Sequence, residues 1–136
     1  MQQPVKSINT KVDLTVDATS YMGIADYGKM MIGDRGLEWY ADKNVQKYIQ
    51  IPWGEVTFVE VTVMFKGKYI PRFTVHTKTS SNFPFATRDP KRTLRAIRVY
   101  VDPKNLVQSR TFLKILGGYL RNIKSRYFTK DKQAKD

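Results

Sequence analysis

Tyr48-Ile-Gln-Ile-Pro-Trp-Gly-Glu-Val56, running on into Phe58-Val-Glu-Val-Thr-Val-Met-Phe65, is the stretch that most constrains the fold. Ile49 and Ile51 alternate with Gln50, Pro52 and Gly54 interrupt the backbone ladder, and Phe58 to Phe65 resumes as a β-branched, strand-like run. The expectation is a strand, a corner and a second strand. A sheet that turns a corner around an aromatic as large as Trp53 points to a small barrel or an orthogonal sandwich rather than an open parallel sheet.

Upstream, Met1 to Asn9 has no periodicity and contains Pro4, which reads as a loose tail. Val12, Leu14, Val16 and Ala18 alternate with Asp13, Thr15, Asp17 and Thr19, the period of a half-buried strand ended by Tyr21-Met-Gly23. A second strand follows from Tyr27 to Ile32, and Gly33-Asp-Arg-Gly36 is a glycine-bounded hairpin turn. The third runs from Leu37 to Tyr40, with Leu37 and Trp39 on one face and Glu38 and Tyr40 on the other. Downstream, Lys66-Gly-Lys68 turns the chain into Tyr69 to Lys78, and Thr79-Ser-Ser-Asn82 turns it again. Phe83 and Phe85 then flank Pro84 in a short strand whose proline suggests a sheet edge. Seven short strands precede residue 87.

The pattern changes at Asp89-Pro90, where an aspartate can cap free amides and a proline can take the first helical position. Leu94, Ile97 and Val101 recur at three to four residues, giving about three turns of helix with one apolar face able to close the end of a barrel. Asp102-Pro103 repeats the start signal, so a second helix is expected from there, or after Ser109, to about Phe128. Gly117-Gly118 would bend it. Phe112, Leu113, Ile115, Leu116, Tyr119, Leu120, Ile123 and Tyr127 fill one arc of that helix, opposite Arg110, Lys114, Arg121 and Lys124. Such a face packs on the domain's own sheet or serves a partner, a second copy or a membrane surface.

With 136 residues, one core is expected. No apolar leader and no run of about 18 apolar residues is present, and there is no cysteine, which together suggest a cytoplasmic protein without disulfides or thiolate zinc sites. The formal charge of +12 is uneven. Residues 1–86 carry ten Lys/Arg against eight Asp/Glu, whereas residues 87–136 carry fourteen against four. The C-terminal third is therefore the candidate docking face toward nucleic acid, anionic lipid or an acidic protein; the alternative is a solvated surface that keeps the chain soluble.

Nothing forms a catalytic constellation. His76, the single histidine, shares a strand face with Thr74 and has no acidic residues clustered near it in sequence, so an ordinary surface or half-buried role is expected rather than a metal site. Asp13, Asp17, Asp26, Asp34 and Glu38 alternate outward on strands or sit in turns, as a solvated face would. Tyr40, Trp53, Phe65, Tyr69 and Phe73 could stack bases on a sheet, but the glycine-aromatic signature of an RNA-recognition sheet is missing and core packing is expected. Neither glycine turn matches a nucleotide-binding loop, and no cofactor is implied.

Seven strands, the corner at Ile51-Pro-Trp53, the Phe83-x-Phe85 strand and the helix after Asp89 together resemble pleckstrin-homology-like (PH-like) and GRAM-type domains. A closer resemblance lies in Tyr21-Met-Gly23, Tyr27-Gly-Lys29, Ile32-Gly-Asp34, Ile51-Pro-Trp53, Met64-Phe-Lys-Gly-Lys68, Ile70-Pro-Arg72 and Asp89-Pro-Lys91. With Leu94-Arg-Ala-Ile-Arg98 and Tyr100-Val-Asp-Pro103, these look like ManO, a small Firmicute family of uncharacterised function encoded beside mannose-class phosphotransferase transporters. That resemblance implies a fold that is mainly β with C-terminal helices: a loose tail (1–9), a bent seven-stranded PH-like barrel with its capping helix (10–101), a basic amphipathic helix (102–128) and a polar tail (129–136). It implies a non-enzymatic accessory or regulatory protein of the transporter system, binding a transporter component at the inner membrane face. The candidate contacts are Arg88, Lys91, Arg92, Arg95, Arg98, Arg110, Lys114, Arg121 and Lys124, and the last helix could also pair two copies. A nucleic-acid-binding regulator of the operon and a peripheral binder of anionic lipid are the alternatives.

Overall fold

A computed structural model describes residues 5–44 and 46–109. Alternating sequence becomes alternating burial. β1 (Val12–Ser20), β2 (Asp26–Gly33) and β3 (Gly36–Ala41) form an antiparallel meander continued by β4 (Tyr48–Pro52). At Trp53–Glu55 a single 3-10 turn makes the expected corner, and β5 (Val56–Met64), β6 (Tyr69–Thr77) and β7 (Asn82–Thr87) form a second meander. β7 pairs with β1 and joins the two halves, so the sheet runs β4-β3-β2-β1-β7-β6-β5-β8, with its two edge strands not hydrogen-bonded to each other. Met30, Ile32, Leu37, Trp39, Phe73 and Phe85 are completely buried between the halves. At ~1.5–3 kcal/mol for each large side chain, this core outweighs any single polar contact described below.

The helix α1 (Pro90–Arg98) starts where Asp89-Pro90 predicts. Asp89 Oδ1 accepts from the Arg92 amide at 3.3 Å, and the buried Thr93 hydroxyl donates to the Asp89 carbonyl at 2.8 Å. Its apolar side seals the core with Ile97, followed by Val101, and packs against β1, β2, β6 and β7.

Four expectations are corrected. First, no helix begins at Asp102. Its carboxylate caps a 3-10 turn, Pro103–Asn105, by accepting from the Lys104 amide at 3.0 Å, and the chain then forms β8 (Leu106–Gln108), parallel to β5. An Asp-Pro start serves a single turn as well as a helix; here a ladder on β5 satisfies the following backbone. The remainder of the expected basic helix and the polar tail lie outside the described residues, so α1 is the one α-helix among those described. Second, Pro84 is not on an edge strand, because β7 is paired on both sides. Its pairing with β1 covers only Phe85–Thr87, so the missing amide falls where that ladder ends, while the Pro84 carbonyl still accepts from the Tyr21 amide at 2.9 Å.

Third, Glu38 is not solvated but fully buried. Fourth, the end of the supposed loose tail is what buries it. The Ser7 hydroxyl (2.5 Å), the Asn9 Nδ2 (2.6 Å) and the Ile8 amide (3.2 Å) donate to its carboxylate, as do the Tyr40 hydroxyl and Gln50 Nε2 (3.2 Å). Burial pushes the carboxyl upward, but the hydrogen bonds from Ser7, Tyr40, Asn9 and the Ile8 amide outweigh it and hold Glu38 below its usual range. Asn9 acts as a strand substitute. Its Oδ1 accepts from the Arg35 and Gly36 amides (2.7 and 2.9 Å) and its Nδ2 donates to the Gly36 carbonyl at 3.1 Å. The glycines of the β2–β3 turn leave the room: a Cβ on Gly33 would lie 2.5 Å from Asn9 Cγ, and one on Gly36 2.6 Å from Ile8 Cδ1.

Candidate functional site

α1 presents two faces. Thr93 and Ile97 point into the core, while Lys91, Arg92, Arg95, Arg98 and Val99 are exposed. Their i, i+3, i+4 and i+7 spacing, which buries the apolar set, places the cations together on the solvent side. Among the described residues, no carboxylate lies within ion-pair distance of Lys91, Arg92, Arg95 or Arg98. Four of the sequence-derived contact residues are thus brought together with their charges unspent.

Arg88 differs. Its guanidinium lies 3.3 Å from Asp17, whose other oxygen is 3.1 Å from Lys29, and Lys29 in turn meets Asp42 at 3.2 Å. The Lys29 hydrogen bond and charge, with a smaller contribution from Arg88, hold the Asp17 carboxyl below its usual range. Arg88 therefore ties the β7–α1 junction to β1. Arg110, Lys114, Arg121 and Lys124 lie outside the described residues.

Beside α1, two surface cavities adjoin. One of about 330 Å³ has Ile70, Leu94 and Leu106 as an apolar floor under Lys91, Arg95 and Arg98. The other, about 450 Å³, shares Ile70 and Lys91 and extends past Lys68, Tyr69, Arg88 and Asp89 toward the β5–β6 turn. Among the described residues, Asp89 is the one acidic group lining them, and it is engaged as the helix cap. The smaller cavity is mainly apolar, the larger is mixed, and both carry cations at the rim.

The remaining candidates take structural places. His76 Nε2 lies 2.9 Å from Glu60 Oε1, and its ring stacks on Phe58 with centroids 4.2 Å apart, so the histidine is half-buried on the outer face of β5 and β6. Trp53 is half-buried at the corner, stacked on Tyr100 at 5.3 Å, and donates through Nε1 to the Gly33 carbonyl at 2.8 Å. The Tyr100 hydroxyl in turn donates to Asp13, which pushes the phenol up to about 12. Among the described residues, no three of His, Asp and Glu come together as a metal cage, and no helix is long and apolar enough to cross a membrane.

Core packing, expected for five aromatics, fails for two. Phe73 is buried, but Phe65 and Tyr69 are exposed by 68% and 52% at the β5–β6 turn, stacked on each other with centroids 6.3 Å apart. Sequence reasoning missed this patch. The available signal was charge: Val61 to Arg88 contains Lys66, Lys68, Arg72, Lys78 and Arg88 and no acidic residue.

The family model described as "Domain of unknown function (DUF956)" matches residues 4–120. No curated protein matches the chain. Among solved structures, the C-terminal domain of an unknown protein from Leishmania infantum is similar at 10% identity and a TM-score of 0.57, over 66% of this chain and 83% of that one. That likeness concerns the fold alone.

Proposed function

The chain belongs to the DUF956 family, of unknown function, and from that premise we propose that it is a non-enzymatic adaptor that docks an anionic partner through the exposed face of α1. The observation that carries this reading is the set Lys91, Arg92, Arg95 and Arg98, four exposed cations on one helix with no carboxylate within ion-pair distance among the described residues. Unspent charge on a fixed element steers and orients an acidic partner, whereas a paired surface charge contributes little.

The scaffold is read as PH-like. Two antiparallel meanders joined by a corner at Trp53, followed by a helix across the core, support that assignment. The partner is read as a component of a mannose-class sugar phosphotransferase transporter at the inner membrane face, making this a cytoplasmic accessory or regulatory protein. That step rests on the ordered motifs from Tyr21-Met-Gly23 to Tyr100-Val-Asp-Pro103.

Affinity capture from native membranes containing the transporter tests it, comparing the full chain with a variant carrying Lys91→Gln, Arg92→Gln, Arg95→Gln and Arg98→Gln. Four exposed charges at about 0.2–1 kcal/mol each make an expected loss of roughly four-fold to several hundred-fold in affinity for a transporter subunit. Equal recovery by both proteins, or none by either, removes the reading. Recovery of nucleic acid instead, falling steeply with salt, would favour the operon-regulator alternative.

A further inference from the structure

The β5–β6 turn does something that a packing argument does not explain. Phe65 and Lys66 adopt φ of 54° and 56°, and Gly67 follows at 88°. A left-handed conformation is natural for glycine and tolerable for asparagine, but it is costly for phenylalanine, on the order of 1–3 kcal/mol. The cost holds an aromatic ring out in water, stacked on an equally exposed tyrosine. Lys66 and Lys68 lie between the two aromatics in sequence, and Tyr69 and Lys68 line the cavity that runs to Lys91 on α1. An exposed aromatic wedge at a lysine-bearing turn, with a cavity of mixed polarity and cationic rim behind it, has the chemistry of the interface of an anionic bilayer. Aromatic rings there sit at headgroup depth and lysines meet phosphates.

We propose that the β5–β6 turn is a lipid anchor: Phe65 and Tyr69 enter the headgroup region of an anionic phospholipid surface, while Lys66 and Lys68 receive its phosphates. The contact is separate from protein docking on the outer face of α1, and it holds whichever protein that face binds. It also gives the strain a role. A residue better suited to the turn would be more stable there and would not bind.

Co-sedimentation of the full chain with phosphatidylcholine vesicles, and with vesicles half phosphatidylglycerol, tests this alongside two variants. Phe65→Asn accepts the left-handed turn, so its melting temperature should equal or exceed that of the original chain, while partition onto anionic vesicles falls on the order of ten-fold, as loss of a buried aromatic implies. Phe65→Trp places a fluorophore at the tip, and its emission should shift to the blue on anionic vesicles and stay unchanged on neutral ones. The original chain, which carries Trp39 and Trp53, serves as the reference, so the difference between the two emissions is local to the turn and binding through other basic segments cannot mimic it. Three results would each overturn the anchor: unchanged partition of Phe65→Asn, no emission change in Phe65→Trp, or a shift that ignores lipid charge. If Phe65→Asn instead loses capture of a transporter subunit from detergent extract while keeping its vesicle partition, the tip is a protein contact and the inference fails. Failure of the α1 charge variant to lose its partner would leave the anchor untouched, so the two readings fall separately.

Discussion

Replacing Glu38 by glutamine probes the buried network that fixes the N-terminal segment. The carboxylate receives five hydrogen bonds. If it is lost, Asn9 Nδ2 keeps the Gly36 carbonyl and Gln50 Nε2 keeps the Lys6 carbonyl, but the Ser7 hydroxyl, the Ile8 amide and the Tyr40 hydroxyl have no other acceptor among the described residues. A glutamine side chain offers one carbonyl oxygen and turns an amide group toward the remaining donors. Stranding two or three half-buried donors at about 1 kcal/mol each gives ~2–3 kcal/mol. Against a total stability of about 5–15 kcal/mol for a domain of this size, urea denaturation would show that as a clear fall in midpoint. The same substitution in a chain lacking residues 1–9 should cost less than about 1 kcal/mol, because the carboxylate then keeps only the Tyr40 and Gln50 donors and meets water. Equal costs in the two backgrounds, or a cost below about 0.5 kcal/mol in the full chain, would refute the idea that this segment and Glu38 stabilise each other.

Trp53→Ala should cost ~2–3 kcal/mol, below the 3–5 expected of a fully buried aromatic, since the ring is half-buried and loses one stack and one hydrogen bond; a loss under about 1 kcal/mol would mean the corner does not need it. Asp34 has its carboxyl held at about 2, from an ordinary 3.8, by the Thr10 hydroxyl and the Lys11 and Thr10 amides. Because the folded value is depressed, these contacts contribute fully above about pH 4 and are lost as pH falls toward about 2, and Glu38 shifts in the same direction. NMR amide shifts of Ile8, Thr10 and Lys11 should therefore hold steady down to about pH 4 and move below it. At the alkaline end, Tyr40 is raised to about 12 by burial and Glu38, and Tyr100 to about 12 by its bond to Asp13 and burial, from an ordinary 10.0. An absorbance titration of the folded chain should then show two phenols ionising well after an ordinary one, and Asp13→Asn should return Tyr100 to the earlier group.

The strands and the corner were legible because alternation is a local signal: Leu14, Ala18, Met30 and Ile32 are buried where the period of two puts them. The start of α1 was legible for the same reason, being written in Asp89 and Pro90. What escaped was non-local. Glu38 looks like the outward member of an alternating strand, and what covers it lies about thirty residues upstream in a segment with no period. β8 is three residues long, too short to display a pattern, and pairs with a strand nearly fifty residues away. For the site, the cations of α1 follow from helical spacing. The exposure of Phe65 does not, because an aromatic at the end of a β-branched run reads as core until the left-handed turn is seen.

The position of β1 has a consequence for synthesis. It leaves the ribosome before the other described strands, yet it lies inside the sheet, between β2 and β7. β2 follows at once, but β7 begins at Asn82, so one side of the nascent hairpin stays unpaired for roughly 3 to 12 s at about 5–20 residues per second. An open strand edge of that kind invites pairing between chains on neighbouring ribosomes. Asp13 and Asp17, both exposed on β1, place charge along it and oppose such pairing by mutual repulsion. When β7 arrives, the Arg88 amide donates to the Asp17 carbonyl at 3.0 Å with the guanidinium beside the carboxylate, and the residue that guarded the open edge becomes the one that fastens it.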